Sequence, residues 1–142
     1  RLLKDVIAGQ VPLTASPEAT VRAACRDMAQ KGVGAMMVVS QGALVGIFTE
    51  RDVLNKVVAA GLDPETTTMA QVMASRVVSV EGDKNLAFAL HLMRQGNFRH
   101  VPVVDAQNRP LGMVSARDAL GAEMLDFERE EERMEELTEL IG

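Results

Sequence analysis

The sequence is poor in aromatic residues: its 142 residues include no Trp, no Tyr and only four Phe, 3% in all. Proteins that bind single-stranded nucleic acid stack the bases on aromatic side chains, and this chain has few to offer. It also lacks the basic surplus that a phosphate backbone requires, since its formal net charge is -5 and its pI is about 5.0. We therefore do not expect a nucleic-acid partner.

Cysteine and long apolar runs are scarce as well. Cys25 is the single cysteine, which excludes an intrachain disulfide, and its apolar helical surroundings favour a small buried side chain. No apolar run approaches the roughly 20 residues that span a bilayer, and no charged-then-apolar leader opens the chain. We expect a cytoplasmic protein with no membrane contact. Because the chain begins at Arg1 rather than Met, we expect it to be trimmed from a slightly longer protein or cut out of a larger one.

Motifs of catalysis and metal binding are missing too. The phosphate loop Gly-x-x-x-x-Gly-Lys-Ser/Thr does not occur. No motif places Ser, His and Asp for nucleophilic attack, and no His, Cys and carboxylate residues have the spacing of a metal site. We expect no catalytic residue, no metal and no enzymatic activity.

What the sequence does contain is an internal repeat. A shift of 65 positions (79 minus 14) aligns the first part of each copy, and one extra residue in the second copy's turn raises the shift to 66. The aligned pairs include Thr14 and Ser79, Met28 and Met93, Thr49 and Ser115, and Asp52 and Asp118. Insertion at a turn is what a true repeat tolerates.

Each copy is predicted to fold as strand, helix, strand, strand, helix. In the first copy we predict strands over 11–15, 35–40 and 44–49, with a Gln41-Gly42 hairpin turn, a helix from Ser16-Pro17 to Gly32 and a closing helix over 50–60. In the second copy we predict strands over 77–80, 101–104 and 111–115, and a closing helix from Ala116. One such unit cannot bury both faces of its sheet, so two repeats packed sheet to sheet form the expected folding unit.

The predicted fold class is thus α+β: two β-α-β-β-α repeats related by a pseudo-two-fold axis, plus terminal helices. The boundaries are an N-terminal helix over 1–10, repeat 1 over 11–61, a linker over 62–72, repeat 2 over 73–122 and an acidic helix over 123–142. Apolar residues recur at helical spacing in both terminal segments: Leu2, Leu3, Val6 and Ile7, then Met124, Phe127, Met134, Leu137 and Ile141. They fit either a helix laid on the domain or a dimer contact.

Both copies end their hairpin with one pattern, Gly-Ile-Phe-Thr-Glu-Arg-Asp over 46–52 and Gly-Met-Val-Ser-Ala-Arg-Asp over 112–118. A hydroxyl residue stands where the strand gives way to a helix, with Arg two and Asp three positions later. This arrangement is typical of a helix cap. It also suits an anion site beside a carboxylate that accepts hydrogen bonds from a ribose diol. The same residues can cap the helix and bind a ligand, and the occurrence of the pattern in both copies favours ligand binding.

These endings, with Phe-Arg-His-Val-Pro-Val-Val-Asp over 98–105, resemble tandem cystathionine-beta-synthase-type (CBS) repeats over about residues 11–120. The resemblance implies a non-catalytic regulatory sensor for AMP, ADP or ATP, with S-adenosylmethionine or NAD as further candidates. Carried over to this chain, the first site comprises Thr49, Arg51, Asp52, Ser79, Val80, Arg99, His100 and Pro102. The second site comprises Ser115, Arg117, Asp118, Thr14, Ala15, Ala35 and Met36.

In that family the Asp holds the ribose hydroxyls, and the Thr or Ser and the Arg contact the phosphates. Repeat 1 has Gly34-Ala35 where repeat 2 has Arg99-His100, so we expect phosphate to favour the first site. We also expect a homodimer and a regulated partner protein. Two other interpretations stay open: a ligand-free scaffold that acts through its terminal helices, and a regulatory part excised from an enzyme or transporter.

Overall fold

The structure is a computed structural model that describes residues 1–141, except for the side chains of 119–129 and 141. Its elements, in chain order, are α1 (Leu3–Val6), β1 (Thr14–Ala15), α2 (Val21–Lys31), β2 (Ala35–Ser40), β3 (Ala43–Thr49), α3 (Glu50–Asp52) continuing as a π-helix (Val53–Val58), α4 (Met69–Val72), β4 (Val80–Glu81), α5 (Leu86–Gly96), β5 (His100–Val104), β6 (Pro110–Ser115) and α6 (Ala116–Ile141).

Each repeat forms one three-stranded sheet, and the strand orders are β1-β2-β3 and β4-β5-β6. In each sheet the first strand runs parallel to the second, and the second runs antiparallel to the third. Both sheets have a register irregularity at the matching place, between Val38 and Val39 and between Val103 and Val104. The predicted α+β class with two equivalent repeats is confirmed.

The two sheets meet in a buried cluster. Met37 and Leu44 of the first sheet and Val104 of the second are each at most 6% exposed there. The β5–β6 turn adds polar contacts, because the side-chain amide of Asn108 donates to the Leu44 carbonyl at 2.9 Å and the Leu44 N–H donates to the Asn108 carbonyl at 2.9 Å. The two repeats are thus joined by apolar packing and by two hydrogen bonds of this turn.

Short helices complete each core by crossing to the other repeat. Leu3 of α1 is buried in the same cluster as Val101 of repeat 2, whereas Met69 of α4 is buried with Phe48 of repeat 1. Leu3 and Met69 are related by the shift of 66 positions, so the exchange is symmetric. Because Leu3 and Ile7 are 0% and 7% exposed, they lie on the domain, and the dimer-contact interpretation of these two residues is wrong.

Helix α2 begins later than predicted. Thr20 is its N-cap, and its hydroxyl oxygen accepts a hydrogen bond from the Ala23 N–H at 3.2 Å. The predicted start at Ser16-Pro17 is wrong, because these residues belong to the turn before the helix, where a hydroxyl residue followed by proline is equally favoured. Gly32 ends the helix in the left-handed region at φ 69, as predicted.

Three other elements differ from the prediction in length. Strand β1 is limited to Thr14–Ala15 and β4 to Val80–Glu81, so residues 11–13 and 77–79 precede the strands rather than forming them. The closing helix of repeat 1 has only one α-helical turn, Glu50–Asp52, before it widens into the π-helix. The hairpin turn at Gln41 and Gly42 is confirmed by φ values of 52 and 80.

Helix α6 runs without interruption from Ala116 to Ile141, so the second repeat's closing helix and the acidic tail are one helix. Met134, Leu137 and Leu140 are 64%, 48% and 83% exposed. Residues 130–140 therefore do not lie on the domain, and a dimer contact through them stays a prediction. The side chains of Met124, Phe127 and Ile141 lie outside the described residues.

Candidate functional site

A first cavity, of about 360 Å³, lies where the end of β3 faces the start of β5. This volume falls within the range of small-molecule sites. The cavity brings together six of the eight residues predicted for the first site: Thr49, Arg51, Asp52, Arg99, His100 and Pro102. Ser79 and Val80 are not among its lining residues, and Val77 and Val78 line it instead.

A second cavity, of about 700 Å³, lies at the matching place beside the end of β6. Four of the seven residues predicted for the second site line it: Ala35, Ser115, Arg117 and Asp118. Thr14, Ala15 and Met36 do not, whereas residues 9–13 and Met37 do.

The opening segment is displaced in the same direction in both cavities. The resemblance implies contacts at 14–15 and 79–80, but the cavities are lined by the residues just before, 9–13 and 77–78. Val11 and Val78 are 74% and 42% exposed beside their cavities. Exposed valines offer an apolar surface to a flat ring. The sequence predicts both valines within strands, so it gives no sign that they line the cavities.

The helix-cap geometry is present at the ends of both hairpins. Asp52 Oδ2 accepts hydrogen bonds from the Thr49 N–H at 3.0 Å and from the Thr49 hydroxyl at 3.2 Å. Asp118 Oδ2 accepts from the Ser115 N–H at 2.7 Å and from the Ser115 hydroxyl at 3.3 Å. Each carboxylate is thereby fixed at the mouth of its cavity.

The two capping carboxylates differ in their remaining oxygen. Asp52 Oδ1 pairs with Lys56 Nζ at 3.1 Å, and the same ammonium donates to the Val72 carbonyl of α4 at 3.1 Å. Position 122, which matches Lys56 by the shift of 66, is Ala. A ligand hydroxyl that approaches Asp52 therefore competes with Lys56, whereas Asp118 has no lysine at that position.

His100 is half-buried and lies among charged groups. Burial is the largest cause of its lowered pKa; Glu50 opposes the shift, Arg99 and Arg117 add to it, and Asp118 opposes it. The lowered pKa favours the neutral imidazole, which can form hydrogen bonds with a ligand in the cavity.

Four residues line both cavities: Gly34, Glu50, Arg99 and His100. The resemblance assigns Arg99 and His100 to the first site alone. Because both residues line both cavities, they give no reason for phosphate to prefer the first site. Each cavity has further cations of its own, Arg51 and Arg76 in the first and Lys31 and Arg117 in the second. The sequence analysis missed Glu50 because an acidic residue after an N-cap is ordinary.

Among the described residues, no three His, Cys, Asp or Glu side chains are grouped to hold a metal ion. Within that same part of the chain, no helix combines the length and the apolar character needed to cross a membrane. Burial raises the pKa of the Cys25 thiol, and Arg22 opposes this shift.

Comparison with known proteins identifies the family to which the chain belongs. The sequence model of the CBS domain matches residues 3–59 and 69–124. The chain therefore belongs to the CBS domain family and contains a pair of these domains. The second match begins within the segment predicted as a linker, because it includes α4.

Individual relatives agree. CBS domain-containing protein YhcV of Bacillus subtilis is 39% identical over 116 residues, 82% of this chain and 81% of YhcV. A CBS domain protein of Pyrobaculum aerophilum, PAE2072, complexed with AMP, has a TM-score of 0.77 at 26% identity, covering 83% of this chain and 89% of that one. The CBS domain pair of protein MJ0100, in complex with 5'-methylthioadenosine and S-adenosyl-L-methionine, has a TM-score of 0.75 at 27% identity, covering 84% and 96%. In several other curated relatives the match is less than a fifth of their length.

Proposed function

We propose that this CBS domain pair is a regulatory module that binds a phosphorylated adenosine, AMP, ADP or ATP, between its two repeats and catalyses no reaction. The observation that carries the proposal is an arrangement found in both repeats. An aspartate that hydrogen-bonds the N-cap residue, an arginine at the helix start and further cationic side chains line a cavity of small-molecule size. The AMP complex of PAE2072 and the adenosine ligands of MJ0100 support this ligand class. S-adenosylmethionine and NAD are the other candidates.

Each part of the ligand has a suitable partner in the cavities. Asp52 and Asp118 would accept hydrogen bonds from the ribose hydroxyls. Arg51 or Arg117 would contact the phosphate with Arg99 and His100, since guanidinium groups form charge-assisted hydrogen bonds with phosphate. The base would lie against the exposed apolar residues of 77–78 or 11–13. Ser79, Val80, Thr14, Ala15 and Met36 do not line the cavities and are left out of the proposed contacts.

Regulation follows from contacts that join the repeats at the first cavity. Arg51 of repeat 1 donates to the Asn97 carbonyl at the end of α5 at 3.4 Å, and Lys56 links Asp52 to α4. A phosphate that binds Arg51, or a ribose that binds Asp52, replaces one of these contacts. Binding would thereby favour one arrangement of the repeats over another, which is the requirement for coupling.

We further propose that the module is a homodimer, located in the cytoplasm, that acts on a partner protein. Leu54 and Val58 on the closing helix of repeat 1 are 61% and 67% exposed. Met134, Leu137 and Leu140 of α6 are exposed as well. Exposed apolar patches mark interaction surfaces. The same observation supports the second candidate function, a scaffold whose cavities stay empty. In several curated relatives the matching region is a small part of a longer protein. This supports a third candidate, that the chain is a regulatory part of a larger protein.

The test is to identify the ligand directly. The purified chain is denatured and the released small molecules are identified by mass spectrometry, while thermal melts are recorded with adenosine, AMP, ADP, ATP, NAD and S-adenosylmethionine. We expect an adenosine phosphate among the released molecules and a higher Tm with the same compound, because a ligand of the folded state stabilises it. No released adenosine compound and no change in Tm with any of the six would overturn the proposal and favour the scaffold.

A further inference from the structure

A carboxylate stands between the two cavities at a position where the repeats differ in sequence. The Glu50 N–H donates to the Gly34 carbonyl at 3.0 Å, and the Ala116 N–H donates to the Arg99 carbonyl at 2.9 Å. The two backbone hydrogen bonds are equivalent, so Glu50 corresponds to Ala116 and Gly34 to Arg99. Repeat 1 contributes an acidic residue, Glu50, at the start of its helix, and repeat 2 contributes a cationic residue, Arg99, directly before β5.

The position of the Glu50 side chain depends on the glycine. A Cβ atom at Gly34 would overlap the Glu50 carboxylate. Gly34 thus leaves the space in which this carboxylate lies, at the wall common to both cavities. Asp52, the next acid on the helix, is held by its cap and by Lys56. Glu50 takes part in neither contact and is exposed to the cavities.

The Glu50 carboxylate changes the balance of charged side chains in both cavities. The first cavity has three cationic and two anionic side chains, a formal charge of +1: Arg51, Arg76, Arg99, Glu50 and Asp52. The second has the same balance: Lys31, Arg99, Arg117, Glu50 and Asp118. Glu50 and Arg99 are counted in both, so Glu50 lowers the positive charge available to phosphate at both cavities. An adenosine monophosphate carries a charge of about -1.5 to -2 at pH 7, and each further phosphate adds to it.

We propose that Glu50 is a specificity-determining residue that limits the negative charge of the ligand, so that it disfavours a triphosphate relative to a monophosphate at both cavities. The proposal rests on the proposed function. In a water-like dielectric, one further ligand charge about 6 Å from a carboxylate is repelled by an amount that corresponds to roughly a threefold change in affinity. Arg99 lies on the same wall and attracts the phosphate that Glu50 repels, and His100 beside it can donate a hydrogen bond.

The test compares AMP and ATP by titration calorimetry on the native chain and on Glu50→Gln, which removes the charge and keeps the backbone hydrogen bond to Gly34. We expect the ratio of the ATP to the AMP dissociation constant to fall by about threefold or more, and the effect to diminish at high salt. Glu135→Gln is the matched control. It makes the same charge change on the exposed part of α6, about 28 Å along the helix from Ala116, and should leave the ratio unchanged.

An unchanged ratio in Glu50→Gln, with binding of both nucleotides intact, overturns the role of Glu50 and leaves the proposed function standing. An equal change in Glu135→Gln also overturns it, because net charge would then be the cause. If the native chain binds neither AMP nor ATP, the proposed function fails and this inference with it. Glu50→Ala, which reproduces the residue type at position 116, serves as a second variant if Glu50→Gln unfolds.

Discussion

Replacing Asp52 with Ala separates the two roles that the structure gives to this carboxylate. As a helix cap, Asp52 accepts two hydrogen bonds from Thr49, and as an ion pair it holds Lys56 at 3.1 Å. Thr49 is the N-cap and Asp52 is the N3 residue of its capping box, so losing the Asp52 hydrogen bonds costs about 1 kcal/mol. The i,i+4 pair with a partly exposed lysine adds at most about 0.5 kcal/mol. We expect a loss of roughly 1 to 1.5 kcal/mol in the free energy of unfolding, which lowers the Tm by about 3 to 6 °C.

The binding role predicts a second and larger effect. If Asp52 accepts hydrogen bonds from the ribose, Asp52→Ala should weaken AMP binding at the first cavity by about 1.5 to 3 kcal/mol, or roughly tenfold to a hundredfold. Asn85→Ala is the control: the Asn85 side chain caps α5 by accepting from the Phe88 N–H at 2.8 Å, yet it lines neither cavity. It should lower the Tm and leave the affinity unchanged.

Titration calorimetry with AMP and thermal melts on both variants decide between the roles. Because Asp52 lines only the first cavity and Asp118 only the second, we expect Asp52→Ala to weaken AMP binding at one site and Asp118→Ala to weaken it at the other. A normal AMP isotherm in Asp52→Ala, with only a lowered Tm, would refute the ribose assignment and leave the cap as the whole function of this residue.

Three other predictions address pH, coupling and assembly. Because folding lowers the pKa of His100, the unfolded chain binds more protons, and His100 lowers the stability of the fold as the pH falls below about 6.5. The variant His100→Gln should therefore lose less Tm between pH 7 and 5.5 than the native chain, and an equal loss in both proteins would contradict this. Lys56→Met frees Asp52 Oδ1 and the Val72 carbonyl, so we expect tighter AMP binding at a slightly lower Tm, whereas weaker binding would show that the lysine itself assists the ligand. Truncation after Leu120 should weaken dimerisation in light scattering, and a monomeric mass of the full chain at high micromolar concentration would contradict the dimer.

The sequence predicted the repeat, the order of strands and helices along the chain, and the ends of the hairpins because these depend on local rules. Gly32 needs a left-handed backbone, Gln41-Gly42 makes a hairpin turn, and Thr49 and Ser115 precede helices. Such features recur in both copies, so each copy supports the interpretation of the other. The resemblance assigns Arg51, Asp52, Arg117 and Asp118, which lie around these ends, to two ligand sites. They line the two cavities, and their contact with a ligand stays a prediction.

The parts that the sequence did not predict depend on tertiary packing. The exchange of α1 and α4 between repeats requires knowing which core each helix completes, and the four-residue apolar patterns fit either one. The shared wall of Glu50 and Arg99 arises only when two sheets are placed face to face. The start of α2 was misplaced because Ser16-Pro17 and Thr20 are both good N-terminal signals, and contacts outside the segment decide between them.

The most direct test of the central claim is to compare AMP with adenosine by titration calorimetry on the native chain at two salt concentrations. The account predicts that AMP binds more tightly than adenosine, because Arg51, Arg99 and Arg117 line the cavities and can attract its phosphate, and that added salt narrows the difference. Equal affinities for AMP and adenosine at both salt concentrations would contradict it.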